Sequence, residues 1–144
     1  MAAGQRAMQK GDYSAAERIF SAAVKKAESQ YGIKDRHVAV AFSNEAQALA
    51  AQGKYVEAEP VYLQALKMYQ DAHGENHADV AATLNNLGVL HRMHGQYQQA
   101  EPLLLRALAI KERLHGPDHP DVALTVHNLG LLYATQGLPE KAER

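Results

Sequence analysis

Histidine is the residue type that most invites a chemical interpretation of this sequence. The chain has eight histidines. Four of them form two pairs with a spacing of four residues, His73 with His77 and His115 with His119. On one continuous helix this spacing places both imidazoles on the same face, where they can hold zinc. A glycine, however, directly follows the first histidine of each pair, and no Glu follows it as a metalloprotease motif requires. We therefore expect these histidines to cap and pack turns between helices, with no metal and no cofactor.

Catalysis has no better support in the sequence. Asp118, His119 and Asp121 can pair an acid with a base, but they fall in a connecting turn that implies no pocket. The glycines are spaced as helix terminators and form no phosphate-binding loop. None of the serines has a recognisable orienting base beside it. The sequence therefore indicates a protein that is not an enzyme and has no catalytic residues.

Composition argues against two classes of partner. The net charge is −1, and Lys and Arg form no cluster of the kind that a nucleic-acid-binding surface requires. No apolar run approaches the roughly 20 residues that span a bilayer. The N-terminus becomes polar at once, without a signal-peptide segment, and cysteine is absent. We therefore expect a soluble cytoplasmic protein that binds neither nucleic acid nor membrane.

An internal repeat of 42 residues defines the elements that position these side chains. Glycine, tyrosine, alanine and asparagine all recur at this interval. The recurring positions include Gly11, Gly53, Gly95 and Gly137; Tyr13, Tyr55 and Tyr97; Ala16, Ala58, Ala100 and Ala142; and Asn44, Asn86 and Asn128. A fixed period of about 20 to 50 residues is typical of repeat proteins, in which each unit stacks on its neighbours.

Each period is predicted to form two helices. In the third period, apolar residues between Val80 and Gly88 lie on one face at helical spacing, and Gly95 follows as a C-terminal signal. Asn76 and Asp118 are the predicted N-caps of the helices that follow them. The predicted helices are 2–10, 13–31, 37–52, 55–73, 78–94, 97–115 and 120–136, with a stub after Pro139.

Small residues stand in the middle of the first helix of each period, at Ala46, Gly88 and Gly130. A mid-helix glycine costs about 1 kcal/mol against alanine. We therefore predict that this helix presses its backbone against the second helix of its own hairpin, near Ala100 in the third period. Larger residues such as Leu104 then fill the space beside the contact. The result is a stacked α-solenoid.

These residues resemble a known family. The resemblance to the tetratricopeptide repeat rests on Leu87-Gly88, Gly95-x-Tyr97, Ala100, Leu104 and Ala107. The segments beginning His77-Ala78-Asp79 and His119-Pro120-Asp121 are similar to the long repeats of kinesin light chains and their bacterial relatives. The resemblance covers essentially the whole chain, and it implies an all-α, right-handed α-solenoid of antiparallel helix-turn-helix hairpins. We expect one array over 1–144, composed of a partial repeat 1–34, repeats 35–76 and 77–118, and a partial repeat 119–144, as a fragment of a longer protein.

The resemblance also implies a binding surface. In the family, the first helices of successive hairpins line a concave groove that holds an extended peptide or a partner helix. By position, the lining here is Ser43, Asn44, Gln47, Asn85, Asn86, Val89, Arg92, His127, Asn128 and Leu131. The repeated asparagines would form a ladder of amides that pair with a ligand backbone. The alternative is that these amides bond to neighbouring helices and hold the hairpins in register.

One subtype of the family is disfavoured. Tetratricopeptide co-chaperones that clamp a C-terminal carboxylate use Lys and Arg in the groove, because a carboxylate needs cationic donors. The corresponding places here carry Val40, Ala82 and Leu124. The cationic runs Lys25-Lys26 and Lys111-Glu112-Arg113 lie on second helices, and we expect them to form solvated faces.

The function that the resemblance implies is a non-catalytic protein–protein interaction module, a scaffold or adaptor with a protein or peptide partner. Two alternatives remain: a structural unit that assembles end to end, and the sensing arm of a larger signalling protein. Leu129 and Leu132 lie in the last full helix with little sequence left to cover them. This predicts a homo-oligomer formed through uncapped terminal helices.

Overall fold

Seven α-helices make up the part of the chain that the structure describes, which is residues 3–32 and 36–137 of a computed structural model. They are α1 (Ala3–Gln9), α2 (Tyr13–Tyr31), α3 (Arg36–Ala51), α4 (Tyr55–His73), α5 (Ala78–Met93), α6 (Tyr97–His115) and α7 (Pro120–Thr135). The predicted all-α class is confirmed, and each of these helices begins and ends within a residue of its predicted bounds. The stub after Pro139 and the start of the second repeat near Asp35 lie outside the described residues. No described helix is both long and apolar enough to cross a membrane.

The helices divide between two compact units, unit 1 (Met1–Ala72) and unit 2 (His73–Arg144). Within unit 1, α1 packs against α2 and α2 packs against α3. Within unit 2, α5 packs against α6, α6 packs against α7, and α5 also contacts α7. The turns that join these helices are short, so consecutive helices run antiparallel as in other helical hairpins.

The core of each unit is built from residues at helical spacing. In unit 2, Leu84 and Leu87 of α5 are fully buried, as are Leu104 of α6 and Leu132 of α7. In unit 1, Phe20 and Ala16 of α2 pack with Ala48 of α3. Fully burying a leucine or phenylalanine side chain contributes about 1.5–3 kcal/mol, so these stripes provide the main force that holds the helices together.

The predicted close approach of helices is confirmed at Gly88. A Cβ atom placed on Gly88 would lie 2.5 Å from Leu104 Cγ and 3.4 Å from the Ala100 carbonyl oxygen. Two periods earlier, Gly4 makes the same contact with Phe20. A large side chain of the second helix therefore occupies the space that a side chain on the first helix would need.

Glycine also ends the helices, as the sequence predicts. Gly95 has φ of 76° and Gly116 has φ of 82°, a region that glycine enters without steric cost. The Gly116 N–H donates to the Glu112 carbonyl oxygen at 2.8 Å, which satisfies one of the last carbonyls of α6.

The prediction that Leu129 and Leu132 lie uncovered was wrong. Leu129 is 6% exposed and Leu132 is fully buried. Both pack in one cluster with Ala100 and Leu104 of α6 and with Tyr133. The second helix of the preceding hairpin covers them, because its apolar stripe is wide enough to contact helices on both sides.

The contact between Gly88 and Leu104 predicts that a side chain added at Gly88 destabilises the protein only while Leu104 is present. We expect Gly88→Ala to lower the free energy of unfolding by about 1–3 kcal/mol, because the added methyl overlaps the Leu104 side chain. In a Leu104→Ala background the same change should be neutral or slightly stabilising, since alanine has the higher helix propensity. A double-mutant cycle measured by urea unfolding tests this. Equal effects in both backgrounds would contradict the packing explanation.

Candidate functional site

Unit 1 contains an open, mostly apolar cleft, here called the apolar cleft, between α1, α2 and α3. Its volume is about 330 Å³. Its lining includes Ile19, Phe20, Ala27, Tyr31, Val40 and Asn44. The Tyr31 ring stacks on His37 at one end, with ring centroids 4.2 Å apart. The cleft therefore offers mostly apolar contact, with the amides of Gln5, Gln30 and Asn44 and the Lys26 side chain also in its lining.

Unit 2 contains an equivalent cleft between α5, α6 and α7, which we call the Lys111 cleft. Its volume is about 320 Å³. Its lining is Ala78, Asp79, Ala82, Asn85, Asn86, Lys111, His115, Asp121 and Leu124. Residues of the two clefts correspond at a distance of two 42-residue periods. Ala27 of the apolar cleft corresponds to Lys111 here, Tyr31 to His115, and Val40 to Leu124. The same architecture thus carries a polar lining in this unit.

The predicted groove residues divide into two sets. Asn44 lines the apolar cleft, and Asn85 and Asn86 line the Lys111 cleft. The others lie on the same first helices but outside these clefts: Ser43 and Gln47 on α3, Val89 and Arg92 on α5, and His127, Asn128 and Leu131 on α7. Among this second set, Gln47, His127 and Leu131 are exposed.

The three asparagines of the ladder differ in their contacts. Asn128 Nδ2 donates to Asn85 Oδ1 at 3.0 Å, so this amide joins two neighbouring first helices. Asn44 and Asn86 are half-buried, and within residues 3–32 and 36–137 their side chains have no hydrogen-bond partner. One position of the repeat therefore holds helices together in one period and leaves its amide open in two others.

Lys111 contradicts the prediction of a solvated face, because its side chain is only 7% exposed. Its ammonium donates to Thr125 Oγ1 at 3.0 Å and to the Asp121 carbonyl oxygen at 3.5 Å. Burial lowers the pKa of the Lys111 ammonium, and the Asp121 carboxylate opposes this effect in part. Glu112 and Arg113, by contrast, are exposed as predicted.

The burial of Lys111 has a signal in the sequence that the prediction missed. Ala100, Leu104, Ala107 and Lys111 follow one another at intervals of four, three and four residues, and all four are buried. This is the spacing of one helix face, so Lys111 extends the apolar stripe of α6. Lysine as a residue type predicts a solvated side chain, whereas its position on this helix face predicts a buried one.

A chain of hydrogen bonds extends from Lys111 across unit 2. The Lys111 ammonium donates to Thr125, and the Thr125 hydroxyl lies 3.4 Å from Asn85 Oδ1, which also accepts from Asn128. The chain therefore links α5, α6 and α7. Buried polar groups linked in this way constrain how helices pack, because any shift leaves a donor or acceptor unpaired.

The paired histidines cap helices. His77 Nδ1 accepts from the Asp79 N–H at 3.1 Å, and His119 Nδ1 accepts from the Asp121 N–H at 3.1 Å. The predicted caps, Asn76 and Asp118, were wrong by one residue in each case. In each case the histidine Nδ1 accepts from the backbone N–H two residues later, as the side-chain oxygen of Asn or Asp does at other N-caps.

Each capping histidine is also part of a His-His-Asp cluster. His77 stacks on His73 at 3.9 Å, and Asp79 Oδ2 lies 3.6 Å from His73 Nε2 and 3.7 Å from His77 Nδ1. His115, His119 and Asp121 repeat this arrangement. Two imidazoles and a carboxylate are a ligand set that zinc accepts.

Two features of these clusters favour capping over metal binding. The lone pair of His77 Nδ1, the ring nitrogen beside Asp79, already accepts the backbone N–H that caps α5. A cation at this place would also lie at a helix N-terminus, where the helix dipole favours negative charge. We therefore assign the clusters to the turns that start α5 and α7.

The fold and clefts define a class of protein, an α-helical repeat protein whose hairpins present clefts between consecutive first helices. The tetratricopeptide repeat family matches residues 4–71, 37–113 and 95–144. The chain belongs to the tetratricopeptide repeat family. Repeats of this family generally mediate protein–protein interactions and are typically non-catalytic.

Solved structures agree with this assignment. The chain is similar to BtubC (BKLC) from P. vanneervenii, with a TM-score of 0.86 and 32% identity over 97% of this chain and 56% of that one. It also has the fold of a putative kinesin light chain with nearly identical TPR-like repeats from Podosopora anserina, at 22% identity and a TM-score of 0.86 over 96% of this chain and 66% of that one. The chain thus spans little more than half the length of BtubC. A comparison with curated protein sequences finds no match.

The capping role of the histidines predicts a specific pattern of substitutions. We expect His77→Ala to lower the free energy of unfolding by about 1 kcal/mol, because α5 loses the acceptor at its N-cap. His77→Asn should preserve stability, since an asparagine amide oxygen can accept the same bond. Urea unfolding of the two variants distinguishes them. If Asn destabilises the protein as much as Ala does, the imidazole acts through its stacking on His73.

The burial of Lys111 predicts a dependence of stability on alkaline pH. Its pKa is lowered in the folded state from the usual 10.5, so the unfolded chain binds more protons between these two values. The free energy of unfolding should therefore rise with pH in that window, as the folded lysine loses its charge. Lys111→Met should lack this rise. Urea unfolding of both proteins between neutral pH and about pH 10 measures the difference, and parallel curves would contradict it.

Proposed function

We propose that this chain is a non-catalytic interaction module that binds an extended peptide or a partner helix against its first helices. The observation that carries this proposal is the pair of open amides. Asn44 and Asn86 are half-buried, face the two clefts, and have no side-chain partner in the described part of the chain. A ligand that supplies a hydrogen-bond partner to a half-buried, unpaired amide is bound more tightly, because the new bond lowers the free energy of the complex.

The surroundings of these amides fit a polypeptide ligand. An amide side chain offers one acceptor and two donors, which match the N–H and C=O groups of a peptide backbone. Beside Asn44 lies Val40, which is 42% exposed, and opposite Asn86 lies Leu124, which is 52% exposed. These apolar side chains can bury against alternate side chains of the ligand and so add affinity without fixing the backbone contacts.

A role as scaffold or adaptor is favoured over self-assembly. The self-assembly hypothesis depended on uncovered leucines in the last full helix. Leu129 and Leu132 are buried within unit 2, so they supply no apolar surface for a second copy. Light scattering over a range of concentrations tests this point, and a mass that grows with concentration would restore self-assembly as the leading function.

A peptide-library screen against the full chain tests the proposal, with the three asparagine variants compared one by one. We expect Asn44→Ala and Asn86→Ala each to weaken binding of a library hit by about two- to tenfold, as the loss of one hydrogen bond predicts. Their melting temperatures should stay unchanged, because neither amide bonds to another group in the part of the chain that the structure describes.

Asn128→Ala is the matched control for this screen. It removes the same side chain from the same position of the repeat, but it should lower stability, because Asn85 Oδ1 loses a donor. The absence of any hit, or hits that bind the Asn44 and Asn86 variants as tightly as the wild type, would refute recognition through these amides.

A further inference from the structure

We propose that the Lys111 cleft binds an acidic side chain, a glutamate of the partner, through the buried ammonium of Lys111. This inference rests on the proposed function, because it specifies the chemistry of the partner at one cleft. It concerns unit 2 only, since Ala27 takes the place of Lys111 in the apolar cleft of unit 1.

The first argument is the charge of Lys111. Its ammonium is bonded to two neutral oxygens, Thr125 Oγ1 at 3.0 Å and the Asp121 carbonyl at 3.5 Å. Within the described residues no carboxylate oxygen lies within 4 Å of it. The Asp121 carboxylate acts on this charge only from beyond ion-pair distance, so the burial of the ammonium is compensated in part, and an anion that enters the cleft offsets the remaining cost. An ammonium has three donors, so one N–H remains for a ligand.

The second argument is a surplus of donors at the same place. Asn85 Oδ1 already accepts from Asn128 and lies within reach of the Thr125 hydroxyl, while the Asn85 Nδ2 group makes no hydrogen bond within the described chain. The amide of Asn86, the next residue, is also open. A carboxylate has two oxygens and about four acceptor sites, which match an ammonium and two amide donors.

Two carboxylates also line the cleft, and both lie beside histidines instead of forming an ion pair with Lys111. Asp79 Oδ2 lies within 4 Å of His73 and His77, and Asp121 Oδ2 lies 3.8 Å from both His115 and His119. The Asp121 side chain is 56% exposed, so solvent screens its charge. Lys111, which is 7% exposed, is therefore less exposed than either of these two aspartates, of which the Asp79 side chain is 25% exposed.

The shape of the cleft favours a side chain over a chain terminus. Lys111 is only 7% exposed and lies on α6, which packs against both α5 and α7. The cleft has a volume of about 320 Å³, enough for one long side chain. Ala82 and Leu124 flank it and can contact the methylene groups of a glutamate, while the partner's backbone stays near Asn86. A C-terminal carboxylate would require the backbone itself to enter.

The test uses the full chain and small probes that isolate one side chain. N-acetyl-glutamate N-methylamide is titrated in ¹⁵N–¹H NMR, beside its neutral isostere N-acetyl-glutamine N-methylamide. We expect the glutamate probe to bind about tenfold more tightly and to shift the amides of Asn85 and Thr125. Lys111→Met should remove this preference. Arg113→Met, which deletes an exposed cation from the same helix, should keep it.

Any of the following results overturns the proposal. It fails if both probes bind alike, if neither perturbs these amides, or if Lys111→Met binds as the wild type does. N-acetyl-alanine, which presents a C-terminal carboxylate, and inorganic phosphate distinguish the other sources of negative charge. If either binds more tightly than the glutamate probe, the assignment to an acidic side chain is wrong. Shifts in wild-type spectra decide these points even if the methionine variant fails to fold.

The outcomes also separate this inference from the proposed function. Library hits that carry no acidic residue and tolerate Lys111→Met would leave the interaction module intact and overturn the glutamate assignment. The chain could instead bind the glutamate probe selectively and capture no library peptide. That result would support the acidic-side-chain site at Lys111 and refute the proposed peptide-binding module.

Discussion

The close contact between the first helix of a hairpin and its second helix is the constraint on which the other contacts of this protein depend. At Gly88 the two backbones approach so closely that the Leu104 side chain fills the space of a missing Cβ. This proximity brings the buried stripe of α6 under α5, and the same stripe contacts α7 on its other side. A larger residue at Gly88 would separate the helices and open the polar contacts that depend on their spacing.

Once the spacing is fixed, the residue at each repeated position decides what a cleft can bind. Ala27, Tyr69 and Lys111 occupy one position of the 42-residue repeat. Alanine adds no charge at this position of the cleft of unit 1, whereas lysine adds an ammonium to the lining of the equivalent cleft of unit 2. In this repeat, small and apolar positions therefore set the packing of the helices, and a few variable positions set the chemistry of each cleft.

The helices and their packing could be predicted from sequence because they depend on periodic signals. Glycines at helix ends and apolar residues at helical spacing recur in every period, so each signal is read several times. The errors concern single side chains whose role depends on tertiary neighbours. Lys111 looked solvated by residue type, although the stripe of Ala100, Leu104 and Ala107 continues through it. The caps shifted by one residue because α5 begins at Ala78 and α7 at Pro120, so that a histidine directly precedes each helix and its Nδ1 accepts the bond that an Asn or Asp oxygen would accept.

The asparagines show why a binding surface is harder to predict than a fold. Asn86 and Asn128 have the same residue type, the same position in the repeat and a similar half-buried setting. Asn128 nevertheless bonds to Asn85 on the neighbouring first helix, whereas Asn86 keeps its amide open. Asn128 has an acceptor in Asn85, and no such partner is present for the Asn86 side chain within residues 3–32 and 36–137. Position within a repeat thus determines where a side chain lies, and its neighbours determine whether it holds the fold together or remains available to a ligand.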